Sequence, residues 1–247
     1  MMPRPDLQAI GVEYRRIPIL AHGKSVFCDS RLIVSYLEKA FPSSNLAAES
    51  PDQEAVQKLL ESWIIDGGIF NRAAQTFPPD APMLKDPKFV KDREQYMGRS
   101  WSQDAAKELR PEGLIHLRNA FEFLETVLLA DGRDWMLKTS RPKLADLEVA
   151  WLVSWTIDLK FLLPENIFSA QVFPKLYAWV ARFRKEVEQA KESLKQAGHS
   201  PNIGGDEATN FIKNAKPVSG RHTTNGRIDS LDPTALREGS LVESWPR

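Results

Sequence analysis

Cysteine is almost missing from this chain: Cys28 stands alone among 247 residues. One thiol can neither close an internal disulfide nor build a cysteine zinc site, which fits a reducing compartment. Net charge is missing too, because Lys+Arg and Asp+Glu both total 33. That balance excludes the overall basic bias of a general nucleic-acid binder. No apolar run approaches the roughly 20 residues that a membrane span needs. The opening Met1-Met2-Pro3-Arg4-Pro5 has no apolar stretch behind it to act as a signal peptide. A Gly-rich phosphate loop, a Ser-hydrolase elbow and a His-Glu-x-x-His motif are all lacking. His22, His116, His199 and His222 are scattered, without metal-ligand spacing, so no metal is expected. The expectation is a cytoplasmic protein with neither nucleic acid nor membrane as partner. Its 42% apolar content is enough for a buried core.

Helical periodicity dominates from Pro51 to Gly198. Leu60, Trp63, Ile64, Phe70 and Phe77 lie in a run opened by Ser50-Pro51-Asp52, an N-cap followed by proline in the first turn. Leu114, Leu117, Phe121, Leu124 and Leu128 step by three and four, as do Leu144, Leu147, Trp151 and Trp155. Leu176, Trp179, Val180, Phe183 and Val187 form another stripe, and four such helices predict a bundle. Asp80 to Arg110, with mixed charge and prolines, reads as a long connection with one short helix. Beyond His199 the composition changes. Only 13 of the last 48 residues are apolar, and five of the 13 glycines fall there. That segment reads as an extended or irregular arm, with a short strand suggested over residues 231–242.

The front follows period two. Tyr14 to Leu20 is extended in character, His22-Gly23-Lys24 can turn the chain, and Ser25 to Cys28 can return as a second strand. Asp29-Ser30 then precedes the helical stripe Leu32, Ile33, Tyr36 and Leu37, which ends at Phe41-Pro42. Proline just before a strand can hold a cis peptide bond, turning the backbone groups of Ile17 outward to pair with an extended peptide. An acidic-hydroxyl pair at a helix N-terminus offers N–H groups and a hydroxyl to a carboxylate, while Asp29 can face an ammonium group. Ile17, Pro18, Asp29 and Ser30 together suit a small zwitterionic peptide. As a plainer alternative, Asp29-Ser30 is only a helix cap.

These residues resemble the glutathione S-transferase family. Arg16-Ile17-Pro18-Ile19-Leu20, followed by Cys28-Asp29-Ser30-Arg31-Leu32-Ile33-Val34-Ser35-Tyr36-Leu37-Glu38, is similar to the family's aliphatic-Pro, hairpin, Asp/Glu-Ser and helix sequence. Lys143-Leu144-Ala145-Asp146 resembles its Ser/Thr-aliphatic-Ala-Asp capping motif, with lysine in place of the hydroxyl residue. Phe173-Pro174-Lys175-Leu176-Tyr177-Ala178-Trp179 resembles its Pro-x-Leu-x-x-Trp helix start. The likeness is nearest to fungal glutathione-transferase-like proteins, some encoded in secondary-metabolite clusters.

The resemblance implies a mostly α, α+β fold: an incomplete thioredoxin-like part over 1–42, an all-helical glutathione-transferase C-terminal-like domain over 51–198, and an irregular tail over 199–247. It assigns glutathione, as co-substrate, to Ile17, Pro18, Asp29 and Ser30, and a capping role to Asp146. It also implies a small-molecule electrophile as substrate and a homodimer. The family's activating Tyr, Ser or Cys has no counterpart here, so the catalytic residue stays unassigned and a shortened front is expected. With the reciprocal capping box lost at Lys143, Asp146 is left to bond a first-turn N–H. Trp63, Phe70, Trp151 and Trp155 are candidates to line the electrophile pocket, against the alternative that aromatics on a helical stripe are core. Gly67-Gly68 marks a kink or a close packing point. Arg15-Arg16 either steer an anionic peptide or reach water, and Cys28 reads as a small core residue rather than a nucleophile. Two functions remain open: conjugation of an electrophile with glutathione, and a non-catalytic binding or scaffold protein on the same fold.

Overall fold

The computed structural model describes residues 4–14, 16–199 and 201–218. Arg15, His222 and the strand suggested over 231–242 lie outside the described residues. The fold is α+β and mostly helical: a two-stranded sheet in a thioredoxin-like N-terminal part, then a helical domain. By contacts the chain divides into two compact units. The first takes the described residues up to Val34, Gln95–Gly98, and the described residues from Ile203 on; the second takes Ser35–Glu94 and Arg99–Asn202.

In the first unit, helix α1 (Pro5–Ala9) precedes strands β1 (Ile19–His22) and β2 (Ser25–Cys28). The strands pair antiparallel with Ile19 opposite Cys28 and His22 opposite Ser25, leaving Gly23-Lys24 as a two-residue turn. Gly23 has φ +58°, the left-handed region that the turn requires. Helix α2 (Ser30–Ala40) starts in this unit directly after β2 and continues into the second from Ser35; it buries Ile33 and Tyr36, two members of its sequence stripe. Within 199–247, where composition suggested an irregular arm, Gly205–Asn214 forms helix α9. Asp206 and Glu207 in its first turn and Lys213 in its last suit the helix dipole. It packs on α1, with Gly205 so close to the Asp6 carboxylate that a Cβ would collide. Further on, the Lys216 carbonyl and Val218 close over Gly23 at the hairpin turn. Composition could not show this, because the segment is helical by packing on a neighbour and not by a core of its own.

The second unit contains helices α3 (Pro51–Ile65), α4 (Ile69–Ala74), α6 (Gln103–Phe123), α7 (Leu144–Asp158) and α8 (Pro174–Gln196). Helix α5 (Pro87–Met97) begins in this unit and follows a 3₁₀ turn at Pro82–Lys85. The expected long connection is therefore mostly structured, since α5 and the first two turns of α6 occupy it. Ser102 starts α6 early by accepting the Ala105 N–H at 3.1 Å. Ser50 caps α3 as its sequence suggests, and the Gln53 side chain reciprocates by accepting the Glu49 N–H at 2.8 Å. Gly67-Gly68 ends α3: a Cβ on Gly67 would sit 2.6 Å from the Trp63 carbonyl oxygen, which is the close packing expected, and Gly68 at φ +79° turns the chain into α4. The stripes of α3, α6 and α8 meet in one core that holds Ile64, Leu117, Phe121, Leu176 and Trp179, whereas α7 buries Val149 and Leu152 and leaves Trp151 of its expected stripe exposed. Each buried side chain of this core contributes about 1.5–3 kcal/mol by leaving water. Gly113 lets α6 approach α4, because a Cβ there would sit 2.8 Å from the Arg72 carbonyl oxygen.

Two buried carboxylates tie this core together. Asp146 accepts the N–H groups of Met136 at 2.9 Å and Lys143 at 3.0 Å, and the Trp179 indole N–H at 2.9 Å. Asp146 does not bond the first-turn N–H expected of it: its carboxylate takes the N–H of the N-cap Lys143, half of a capping box, while the Lys143 side chain turns away to Glu49, 2.8 Å distant. Burial pushes the Asp146 carboxyl above its ordinary pKa, against the lowering effect of these hydrogen bonds. Glu125, in a π-helical turn (Leu124–Leu128) that continues α6, accepts the Lys175 and Leu176 N–H groups at 3.1 and 2.8 Å. It caps α8, whose own N-cap Phe173 has no side-chain acceptor.

Candidate functional site

The hairpin register brings the expected peptide-binding residues to one place. Ile19 and Cys28 pair at the open end of the hairpin; Ile17-Pro18 leads into that end and Asp29-Ser30 leaves it. All four lie at the open end of the hairpin and are exposed, Ile17 at 66%. The Ile17–Pro18 peptide bond is cis. Asp29 adopts φ +75°, a left-handed conformation that a short polar side chain tolerates. Its carbonyl accepts the first helical bond of α2 from the Ile33 N–H, and its Oδ1 accepts the Arg31 N–H at 2.9 Å. The capping role of Asp29 is therefore real, and it engages only one of the two carboxylate oxygens. Ser30, the first residue of α2, presents its hydroxyl at the positive end of the helix.

Three further side chains of the same unit surround this corner. Tyr14 is half-buried, and its phenol pKa is raised by burial first and then by the Asp29 charge, with Arg16 acting in the opposite sense. The Arg16 guanidinium lies 4.8 Å from the centre of the Tyr96 ring, a cation–π arrangement. Cys28 is half-buried, and burial followed by the Asp29 charge pushes its thiol pKa up. A raised pKa keeps the thiol protonated at neutral pH, which suits the plain reading of Cys28 and not that of a nucleophile. Tyr14 was not singled out from the sequence, where it is only the first residue of an extended stretch. Its nearness to Asp29 arises from the hairpin and leaves no local pattern.

In the second unit the structure brings together three of the four candidate pocket aromatics. Phe70 lies 5.5 Å from Trp151 and 6.2 Å from Trp155 between ring centres, and Trp155 continues to Phe77 at 6.3 Å. Trp63 instead packs edge-on against Phe123 at 5.2 Å. Trp151 is 39% exposed, so one end of the Phe70 group reaches the surface. Phe77 carries the aromatic run on to Trp101 at 5.5 Å and Phe161 at 5.9 Å, neither of which stood on an obvious sequence stripe. Asp146 is fully buried and bonded to three donors. His22 and His199 are exposed, and His116 stands 3.7 Å from Glu112 on the surface of α6.

Residues 2–45 match the family described as "Glutathione S-transferase, N-terminal domain", and residues 72–192 match a "Domain of unknown function (DUF7962)". No curated protein matches the chain. Among solved structures, a GST-like protein from Pseudomonas syringae superposes with a TM-score of 0.54 at 21% identity, over 96% of this chain and 68% of that one. FzlA from C. crescentus superposes with a TM-score of 0.44 at 20% identity, over 73% of this chain and 71% of its own. The hairpin and α2 that carry the four exposed residues fall within the matched N-terminal segment. Residues 2–45 are therefore similar to a glutathione S-transferase N-terminal domain, and the chain shares the fold of a GST-like protein.

Proposed function

We propose that this protein binds glutathione at the open end of its hairpin and joins it to a small electrophile. The observation that supports the reading is the open end of the hairpin, which the exposed Ile17-Pro18 enters and the exposed Asp29-Ser30 leaves at the start of α2. Their chemistry fits a zwitterionic tripeptide. The outward backbone of Ile17 pairs with the cysteinyl part of glutathione. The Ser30 hydroxyl and the first-turn N–H groups of α2 receive the γ-glutamyl carboxylate. The Asp29 oxygen left over from capping faces the γ-glutamyl ammonium. Conjugation then forms a C–S bond between the glutathione sulfur and an electrophilic carbon. The thiol proton goes to solvent, and the leaving group departs with its bonding pair. Phe70, Trp151 and Trp155, with Trp63 as the fourth candidate, supply aromatic surface for an apolar electrophile. An activating hydroxyl or thiol is not assigned. The charge of Asp29 acts on the Tyr14 phenol, and a raised pKa suits that phenol to donate a hydrogen bond, not to act as a base.

Titration calorimetry of the full chain with glutathione tests the binding step. Asp29→Asn keeps an oxygen for the Arg31 N–H and removes the charge. It should weaken binding about tenfold while leaving the fold intact, in line with about 1.5–3 kcal/mol for a hydrogen bond to a charged group. Equal affinity in the two proteins would remove Asp29 from the site. A chlorodinitrobenzene assay tests the second step, and binding without conjugate would favour the non-catalytic alternative. Membership of a secondary-metabolite pathway, a fungal source and homodimer formation are further parts of this proposal. The first two await an assayed natural electrophile, and the third a sedimentation measurement.

A further inference from the structure

The first unit is assembled from elements too small to hold their shape alone. Helix α1 has five residues and α9 has ten. An isolated helix shorter than roughly 12–15 residues is marginal in water. Strands β1 and β2 have four residues each and, among the described residues, pair only with each other. A lone two-stranded hairpin is marginal as well. No residue of α1 or α9 is buried. Each of these elements therefore takes its order from contact with another.

Residues 203–218 supply such contacts at two points. The half-buried residues of α9 are Gly205, Ala208, Thr209 and Ile212, which recur at i, i+3, i+4 and i+7 and so share one face. Gly205 opens that face against Asp6, and α9 packs on α1. Phe211, at 72% exposure, stands on the opposite face with Asp206, Asn210 and Lys213. Two residues beyond the helix the chain crosses the hairpin turn. A Cβ on Gly23 would stand 2.5 Å from the Lys216 carbonyl oxygen and 3.0 Å from Val218 Cγ2. One segment thus holds α1 with its helix and the turn with its end. It is joined to α8 through residues 201–204, all exposed. Ala208 and Ile212 are the aliphatic side chains of its inner helical face, and neither is fully buried. Such a contact is weak beside the helical core, so this segment opens locally well before the molecule unfolds.

We propose that residues 203–218 are a clasp on the hairpin: they dock and release as one piece, and α1 and the hairpin lose their order when they release. The clasp closes the turn end of the same two strands whose open end carries Ile17-Pro18 and Asp29-Ser30. Release at the turn therefore loosens that exposed corner from the other end. The inference stands apart from the glutathione reading, because it concerns the order of the chain without ligand.

Hydrogen–deuterium exchange of the full chain, read by mass spectrometry, tests the clasp. Ile212→Asp puts a charge on the face of α9 that meets α1, and Val218→Asp puts one against the turn. Phe211→Ser alters only the solvent side of α9, with little change in helix propensity. Ile212→Asp should speed exchange about tenfold or more over residues 5–28 as well as over 203–218. Amides of α6 and α8 should stay within about twofold of the unaltered chain, since their core is untouched. Val218→Asp should free the same residues from the other contact, and Phe211→Ser should free none. Four results would each overturn the proposal. The first is a hairpin that keeps its protection while residues 203–218 lose theirs, and the second is a segment 203–218 or a hairpin already unprotected in the unaltered chain. The third is a Val218→Asp chain in which the hairpin loosens and α9 does not. The fourth is loosening by Phe211→Ser, or of α6 and α8, equal to that of the hairpin in Ile212→Asp. If Ile212→Asp does not fold, Val218→Asp and Phe211→Ser still decide.

Discussion

In the helical unit, the start of α8 is satisfied from far along the chain by a buried carboxylate, Glu125. The hairpin unit satisfies its helix end locally, with an exposed side chain. Asp146 and Glu125 each bond groups from other segments, Glu125 reaching 50 and 51 residues ahead to cap α8. Asp29 caps α2 through the N–H two residues ahead and stays in solvent. A buried carboxylate with every donor in place fixes one arrangement of helices. An exposed cap with a spare oxygen leaves chemistry available to a ligand. The lesson is that the same residue type, an acid at a helix start, serves stability in one unit and is open to recognition in the other.

The comparison breaks most visibly at Asp146. Asp146→Ala leaves the Met136, Lys143 and Trp179 donors unpaired in the core, so urea unfolding should show a loss of about 3 kcal/mol or more. A loss under 1 kcal/mol would mean that water replaces the carboxylate and that the network is not the tie described. Glu125→Ala should cost about 1–2 kcal/mol by uncapping α8. Hydrogen exchange should locate the damage in its first turn. Gly113→Ala should cost about 1–3 kcal/mol, because its Cβ meets the Arg72 backbone and not a flexible side-chain end. Asp29→Ala, by contrast, should cost only about 1 kcal/mol in thermal melts, the usual loss of an exposed cap.

The smallest effect belongs to pH. Hydrogen bonds from Arg133 and Lys138 hold the Asp131 carboxyl well below its ordinary value of 3.8. A depressed folded-state pKa means that the contribution of Asp131 is present above that ordinary value and is lost as pH falls through the lower folded-state value. Asp131→Asn should therefore narrow the stability gap between neutral and strongly acid conditions, by a small amount because the site is exposed. An unchanged pH profile would show that solvent screens these pairs completely.

Much of the fold was legible because its signals are local. The stripes Leu114–Leu128 and Leu176–Val187 became the buried faces of α6 and α8, and Ser50-Pro51 marks the start of α3 in both sequence and structure. Two residues around Gly23 close the hairpin as its turn chemistry suggests. What could not be read was set by tertiary partners. Helix α9 has few apolar residues and forms against α1. The Lys143 side chain, standing where a hydroxyl cap was expected, answers to Glu49 almost a hundred residues earlier. Of the site, the clustering of Ile17 and Pro18 with Asp29 and Ser30 follows from a two-residue turn, so spacing alone carried it.

The central claim concerns what the exposed corner of the hairpin binds. The most direct measurement is calorimetric titration of glutathione into the full chain and into Asp29→Asn, with melting temperatures recorded for both. Saturable binding to the first, about tenfold weaker binding to the second and matching melts are the predicted result. Identical isotherms, or no heat from either folded protein, would contradict the account and leave Asp29 as a helix cap alone.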